Sequence, residues 1–274
     1  MRFSIHGDSH VNPFKINDPA IAGRPNPFHI PEYISAQHRF ATDADQIAVY
    51  TYTSSTAIGL DSSSSENGSG ARIFANVQQE LAEGAETLAF CFGRVDLDFV
   101  YPYKRIIQGS DLNLAQFAGL SRANYLSFLL RLEERVVKGR ARIVVLGLPA
   151  PILPPEDMAH FVWNDSIRQH IANANGVLND DIGRPPADTD KARLIETIAP
   201  LSVRTQASVA LNQALAYECG ACGFGFVDLD ATMVDTANGT VRPDFVAGRD
   251  HHAYPQALGP LWLQLLRTSV GFAA

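Results

Sequence analysis

Three short stretches of this chain carry residue types that together can do nucleophilic chemistry. Gly7-Asp8-Ser9-His10 offers a hydroxyl between an acid and an imidazole. Gly93-Arg94-Val95-Asp96 offers a guanidinium and a carboxylate. Asp250-His251-His252 offers a carboxylate directly followed by two imidazoles. A serine hydroxyl is a poor nucleophile until a base takes its proton, and an imidazole steered by a carboxylate is suited to that task near neutral pH. Ser9 is therefore the candidate nucleophile, Asp250 the orienting acid, and His252 or His251 the base. Gly7 permits a tight turn before Ser9. If Ser9 opens the following segment, its backbone N–H can also face a developing oxyanion.

Each of these residues has a plainer reading. Ser9 can simply cap the segment that follows. Asp8 either holds the turn by binding backbone amides or takes part in the site, and His10 reads as a structural neighbour. Asp96 reads as a ligand of nearby backbone at the rim of the site. His251 and His252 are adjacent, but no spaced cluster of further ligands accompanies them, so no metal is expected. Cys219-Gly220-Ala221-Cys222 has the C-x-x-C form without a second pair and ends a helix, which reads as two half-buried thiols. Arg204 and Asn212 read as ordinary surface or locally bonded groups.

Positioning elements come from the apolar runs. Residues 2–5, 46–53, 87–92, 142–148 and 225–229 read as strands. Helical spacing runs over residues 73–84, 121–138, 204–217 and 260–270. Strands apolar on both faces that alternate with helices predict a parallel sheet covered on both sides. In such sheets ligands gather at the carboxyl ends of the strands, which is where the three stretches fall. Pro-, Ser- and Gly-rich loops are expected over residues 12–31, 61–70 and 180–190, and no internal repeat is present.

Composition narrows the class. The chain has 274 residues, 46% of them apolar, with 22 basic and 29 acidic side chains for a net charge of −7. That is enough for a full core. No basic stripe recommends a nucleic-acid partner. No apolar run is long enough for a membrane span. No signal peptide is read at Met1, and the three cysteines (Cys91, Cys219, Cys222) form no disulfide framework. A cytoplasmic protein is expected, one domain over residues 1–274.

On these blocks the chain resembles the SGNH, or GDSL-type, hydrolase superfamily. Gly7-Asp8-Ser9-His10 matches the nucleophile block, Gly93-Arg94-Val95-Asp96 lies where the third block falls, and Asp250-His251-His252 lies where the Asp–His block falls. Phe92 before Gly93, and Phe99, Tyr101 and Tyr103 after Asp96, are similar to a bacterial branch associated with polysaccharide gene neighbourhoods. The resemblance implies a flavodoxin-like three-layer α/β/α fold with a mostly parallel five-stranded sheet. It implies a serine esterase that cleaves small acyl groups, acetyl foremost, from a carbohydrate. No cofactor is implied, and the partner is a small acyl ester or acylated sugar. Gly59 is the best match to the second block and, with the Ser9 N–H, the expected oxyanion donor. Gly93, Asp8, Arg94, Asp96 and His251 are expected to line the site.

Two departures stand out. Val95 occupies the place of a donor Asn, and Arg94 beside it offers a substitute charge. Asp250 precedes His252 by two residues, where the family has three; Asp250 is nevertheless paired with His252 as the base, and His251 stays open. Two rival readings follow. One is an O-acetyltransferase that passes the acyl group to a sugar. The other is a glycan-binding protein without catalysis.

Overall fold

The computed structural model describes residues 1–24, 27–61, 68–164, 188–246, 248 and 250–271. A central sheet contains β1 (Arg2–Gly7), β2 (Gln37–Ala41), β3 (Gln46–Thr51), β4 (Thr87–Cys91), β5 (Arg142–Leu146) and β6 (Gly225–Val227). Its order is β2-β3-β1-β4-β5-β6. All five expected strands are present, and they pair in parallel. Their chain order across the sheet, second-first-third-fourth-fifth, is the flavodoxin-like order. Every residue of β4 is buried. Successive side chains of a strand point to opposite faces, so both faces of the sheet are covered.

Among the described residues the sheet has six strands, not the expected five. The additional strand, β2, runs antiparallel along β3, with Gln37 opposite Tyr50 and Ala41 opposite Gln46. Its sequence, Gln-His-Arg-Phe-Ala, is half polar and nowhere fully buried, so it lacks the apolar run that marks the others. Arg39 on this edge donates to Glu80, Glu83 and the Tyr50 hydroxyl, which blunts the edge with charge.

Among the described residues, four long helices accompany the sheet: Ser69–Ala82, Leu114–Leu132, Leu201–Ala221 and Pro255–Gly271. All four begin earlier than their apolar spacing predicts. Asn113 and Gln116 bond reciprocally to each other's backbone N–H and start the second helix well before Ser121. The terminal helix starts at Pro255, leaving Pro260 in its interior. Proline is well tolerated at a first helical position, and Pro255 fills it here. The loop expected over 12–31 is in part a 3-10 helix, Ser9–Asn17. Most of the loops expected over 61–70 and 180–190 lies outside the described residues.

Beneath the site, His6 in β1 is fully buried. Its ring stacks on Tyr50 at 4.9 Å and Phe90 at 5.2 Å, and its nitrogens meet Ser4 Oγ at 2.8 Å and the Tyr52 hydroxyl at 3.1 Å. Burial pushes its pKa down to about 3. In the unfolded chain the same imidazole titrates near 6.5. Between these values the unfolded state binds a proton that the native state does not, so stability is lost as pH falls from about 6.5 toward 3. One such group contributes a slope of up to about 1.4 kcal/mol per pH unit. We expect His6→Gln to flatten the acid side of a Tm-against-pH curve, and an unchanged slope would assign the acid sensitivity elsewhere.

Candidate active site

The turn after β1 is built by close approach. A Cβ on Gly7 would sit 2.2 Å from Val11 Cγ1 and 2.6 Å from the Cys91 carbonyl oxygen, so only glycine fits where β1, β4 and the next segment converge. Asp8 caps the 3-10 helix Ser9–Asn17, its Oδ1 accepting the His10 N–H at 2.9 Å. The capping role weighed for Ser9 therefore falls to Asp8. Ser9, half-buried at the first position of the helix, keeps its hydroxyl for another partner.

That partner arrives from the other end of the chain. The terminal helix Pro255–Gly271 packs on the 3-10 helix. Trp262 stacks on Phe14 at 5.0 Å, and Asn17 Nδ2 donates to the Gly259 carbonyl at 3.1 Å. A bridge between Val246 and Ala253, and the Tyr254 N–H donating to the Phe245 carbonyl at 2.8 Å, close the loop before that helix. The loop thereby brings His252 to Ser9. Its Nε2 lies 2.8 Å from Ser9 Oγ, across 243 positions of sequence. Its Nδ1 lies 2.7 Å from Asp250 Oδ1, and the same oxygen accepts the His252 backbone N–H at 2.8 Å. One carboxylate oxygen thus holds both the backbone and the ring of the histidine two residues on, which is how the short Asp-x-His spacing reaches. With Nδ1–H donating to Asp250, Nε2 is left to accept the serine proton.

The electrostatics follow from this packing. For Asp250, burial pushes the pKa up, but the hydrogen bonds and charge of His252 outweigh it and hold the carboxyl down at about 2. For His252, burial lowers the pKa against the raising effect of Asp250. His251 does not share this arrangement. Its Nδ1 is 3.7 Å from Asp250 Oδ1, beyond hydrogen-bond reach. Its ring instead meets Phe99 at 5.2 Å and Phe161 at 5.1 Å. Phe161, in the short helix Pro155–Phe161, and Phe28, 6.4 Å from His252, were not anticipated from sequence. Single aromatics outside a motif carry no signal there.

The remaining expected residues are distributed unevenly. Gly93 ends β4's excursion with φ 124°, a conformation open to glycine. Asp96 is fully buried and accepts the N–H groups of Ala57 at 2.7 Å and Ile58 at 3.1 Å, clamping the turn after β3 to the turn after β4. Burial raises its pKa to about 7 against those two N–H groups, with Asp8 adding to the rise. Two expectations need correction. The Gly59 N–H already donates to Thr56, at 3.1 Å to its carbonyl and 2.9 Å to its hydroxyl, so it is not an open oxyanion donor. Arg94 is buried, and its guanidinium donates to Asp98 at 2.7 Å, Ser208 at 2.6 Å and the Pro149 carbonyl at 3.3 Å. It is a structural cation, not a substitute for the missing donor at Val95.

Arg204 and Asn212 are not surface groups either; both are buried. Arg204 donates to the carbonyls of Leu153 and Ala199, and Asn212 brackets Leu148 by bonding both its N–H and its carbonyl. Together they fix the segment after β5. The three cysteines are free thiols, and burial pushes Cys219 up to about 12, far from a reactive thiolate. His10, read as a neighbour, bonds Asp8 Oδ1 through Nδ1 at 2.8 Å and lies 4.7 Å ring-to-ring from His252.

No family model matches the chain, and no curated protein does. Solved structures with a similar chain path include three lipolytic proteins. A GDSL-like lipase from Bacteroides thetaiotaomicron is 11% identical, covering 100% of this chain and 89% of its own, with a TM-score of 0.49. The extracellular lipase of Streptomyces rimosus is 11% identical, covering 98% of this chain and 99% of its own, with a TM-score of 0.46. Phospholipase A1 from Streptomyces albidoflavus is 12% identical, covering 98% of each chain, with a TM-score of 0.45.

Proposed function

We propose that this chain is a serine ester hydrolase of SGNH type that removes small acyl groups, acetyl foremost, from a carbohydrate. One observation carries the reading: the His252 imidazole bridges Ser9 Oγ and Asp250 Oδ1 at 2.8 and 2.7 Å. Ser9 Oγ attacks the acyl carbon while its proton passes to His252 Nε2. Asp250 stabilises the imidazolium. The tetrahedral oxyanion is assigned to the Ser9 N–H, since the first N–H groups of a helix have no intrahelical acceptor. His252 then returns the proton to the leaving alkoxide, and water releases the acyl group by the same route. Phe28, Phe99 and Phe161 surround the two histidines, a setting suited to the apolar face of a sugar.

The test is turnover of p-nitrophenyl acetate, with mass detection of a fluorophosphonate adduct. Activity and label are expected on the wild type and absent from Ser9→Ala. A folded wild type that neither turns over nor labels would overturn the reading in favour of glycan binding. Donor turnover that requires a sugar acceptor would move it to acyl transfer.

The pH profile provides a second check. The base works only as neutral imidazole, and burial holds the His252 pKa below the ordinary 6.5. Activity should therefore stay on its plateau down through pH 6.5 and fall only in more acid solution. A kcat/KM profile with its acid inflection above pH 7 would assign the base to another group.

A further inference from the structure

The fold brings a third imidazole to the two adjacent ones. His10, His251 and His252 each place a ring nitrogen within 4.8 Å of the others. The sequence shows only the neighbouring pair; His10 joins them because the 3-10 helix after β1 packs under the loop before the terminal helix. His10 is 2% exposed, and its Nε2 is buried without a hydrogen-bond partner among the described residues. The Nδ1 of His251 is buried and unpartnered in the same way.

Two of the three rings are already oriented as metal ligands are. His10 Nδ1 bonds Asp8 Oδ1 at 2.8 Å, and His252 Nδ1 bonds Asp250 Oδ1 at 2.7 Å. A carboxylate behind an imidazole fixes the tautomer, leaves Nε2 with its lone pair outward and raises its basicity as a ligand. The structure repeats that pair at His10 and His252, whose rings lie 4.7 Å apart. Zinc–nitrogen bonds of about 2.0–2.1 Å set the ligand atoms of a tetrahedron roughly 3.3 Å apart, so nitrogens spread over as much as 4.8 Å must draw together by up to about 1.5 Å. The movement falls to His251, whose ring rests on Phe99 and Phe161.

We propose that His10, His251 and His252 form a site for a divalent metal ion of the zinc class, and that the bound ion blocks ester hydrolysis by taking His252 Nε2 from Ser9. The same lone pair accepts the serine proton and binds the metal, so the two states exclude each other. The blocking half rests on the catalytic reading of Ser9 and His252; the binding half does not.

Isothermal titration of the purified chain with Zn²⁺, alongside turnover at the same metal concentrations, tests both halves. One equivalent is expected to bind, with turnover lost over the same range. His251→Ala and His10→Gln should each weaken binding at least tenfold, and Asp8→Asn about 10–100-fold, as loss of a carboxylate behind a ligand does. Ser9→Ala, inert as an esterase, should bind Zn²⁺ at least as tightly. His38→Ala, in the separate pair with Asp18, should bind as the wild type does. If His10→Gln does not fold, the half-buried His251 decides the matter. No stoichiometric binding, or binding indifferent to His251→Ala, overturns the site. Binding without loss of Ser9-dependent turnover overturns the blocking. Stoichiometric binding in a chain whose turnover ignores Ser9→Ala upholds the site and refutes the hydrolase reading instead.

Discussion

Removing either the Ser9 hydroxyl or the His252 imidazole is expected to lower kcat by about 10⁴-fold or more, and removing both is expected to cost no more than removing one. In the proposed mechanism the two groups are halves of one proton transfer across 2.8 Å. Without the base the hydroxyl stays protonated, and without the hydroxyl the base has nothing to activate. Asp250→Asn should lose about 10⁴-fold for a different reason. The amide can present its own N–H to Nδ1, which moves the imidazole proton to Nε2 and removes the acceptor from Ser9. His251→Ala should lose far less than His252→Ala, because its ring touches neither the hydroxyl nor a hydrogen-bonding carboxylate oxygen. Steady-state kinetics on folded variants check the series. A His251→Ala loss as deep as that of His252→Ala would mean that the loop rearranges before catalysis.

Gly259→Ala is expected to lower both Tm and kcat, although alanine is the better helix former by about 1 kcal/mol. Gly259 lies in the terminal helix, and a Cβ there would come 2.1 Å from the Pro13 carbonyl oxygen, with Pro13 C at 3.0 Å. The obstacle is backbone, not the end of a flexible side chain, so the two helices must separate. Overpacking of this kind typically costs about 1–3 kcal/mol, which exceeds the propensity gain. The same separation moves Ser9 away from His252, because the 3-10 helix carries the first and the terminal helix fixes the loop bearing the second. A displacement near 1 Å at reacting atoms can cost about 10²-fold in rate. Thermal melts and kcat measured on one preparation test both effects. A Tm at or above that of the wild type would show that the helices accommodate the methyl group.

The parallel strands were legible because their signal is local. β4 and β5 are continuous apolar runs, and a strand buried on both faces has to be written that way. β2 was not legible, since an edge strand with polar alternate residues needs only the existing β3 edge to pair with. The same contrast holds for helices. The apolar stripe revealed the body of Leu114–Leu132, whereas its beginning depends on a reciprocal side-chain bond between Asn113 and Gln116.

At the site, the sequence alone determined the candidate hydroxyl, carboxylate and imidazoles and put them at strand ends and before the terminal helix. Those are facts of residue type and order. It paired Asp250 with His252 but kept His251 open, made Gly59 and Arg94 look available, and read Arg204 and Asn212 as surface or locally bonded groups. Packing in three dimensions chose among them. It gave Ser9 and Asp250 to His252, brought His10 beside both rings, and committed Arg94 to Asp98 and Ser208. The reason is physical: periodicity and capping act over a few residues. Which nitrogen faces which oxygen across 243 positions is set by how two helices pack, through contacts such as Gly259 on Pro13 and Trp262 on Phe14.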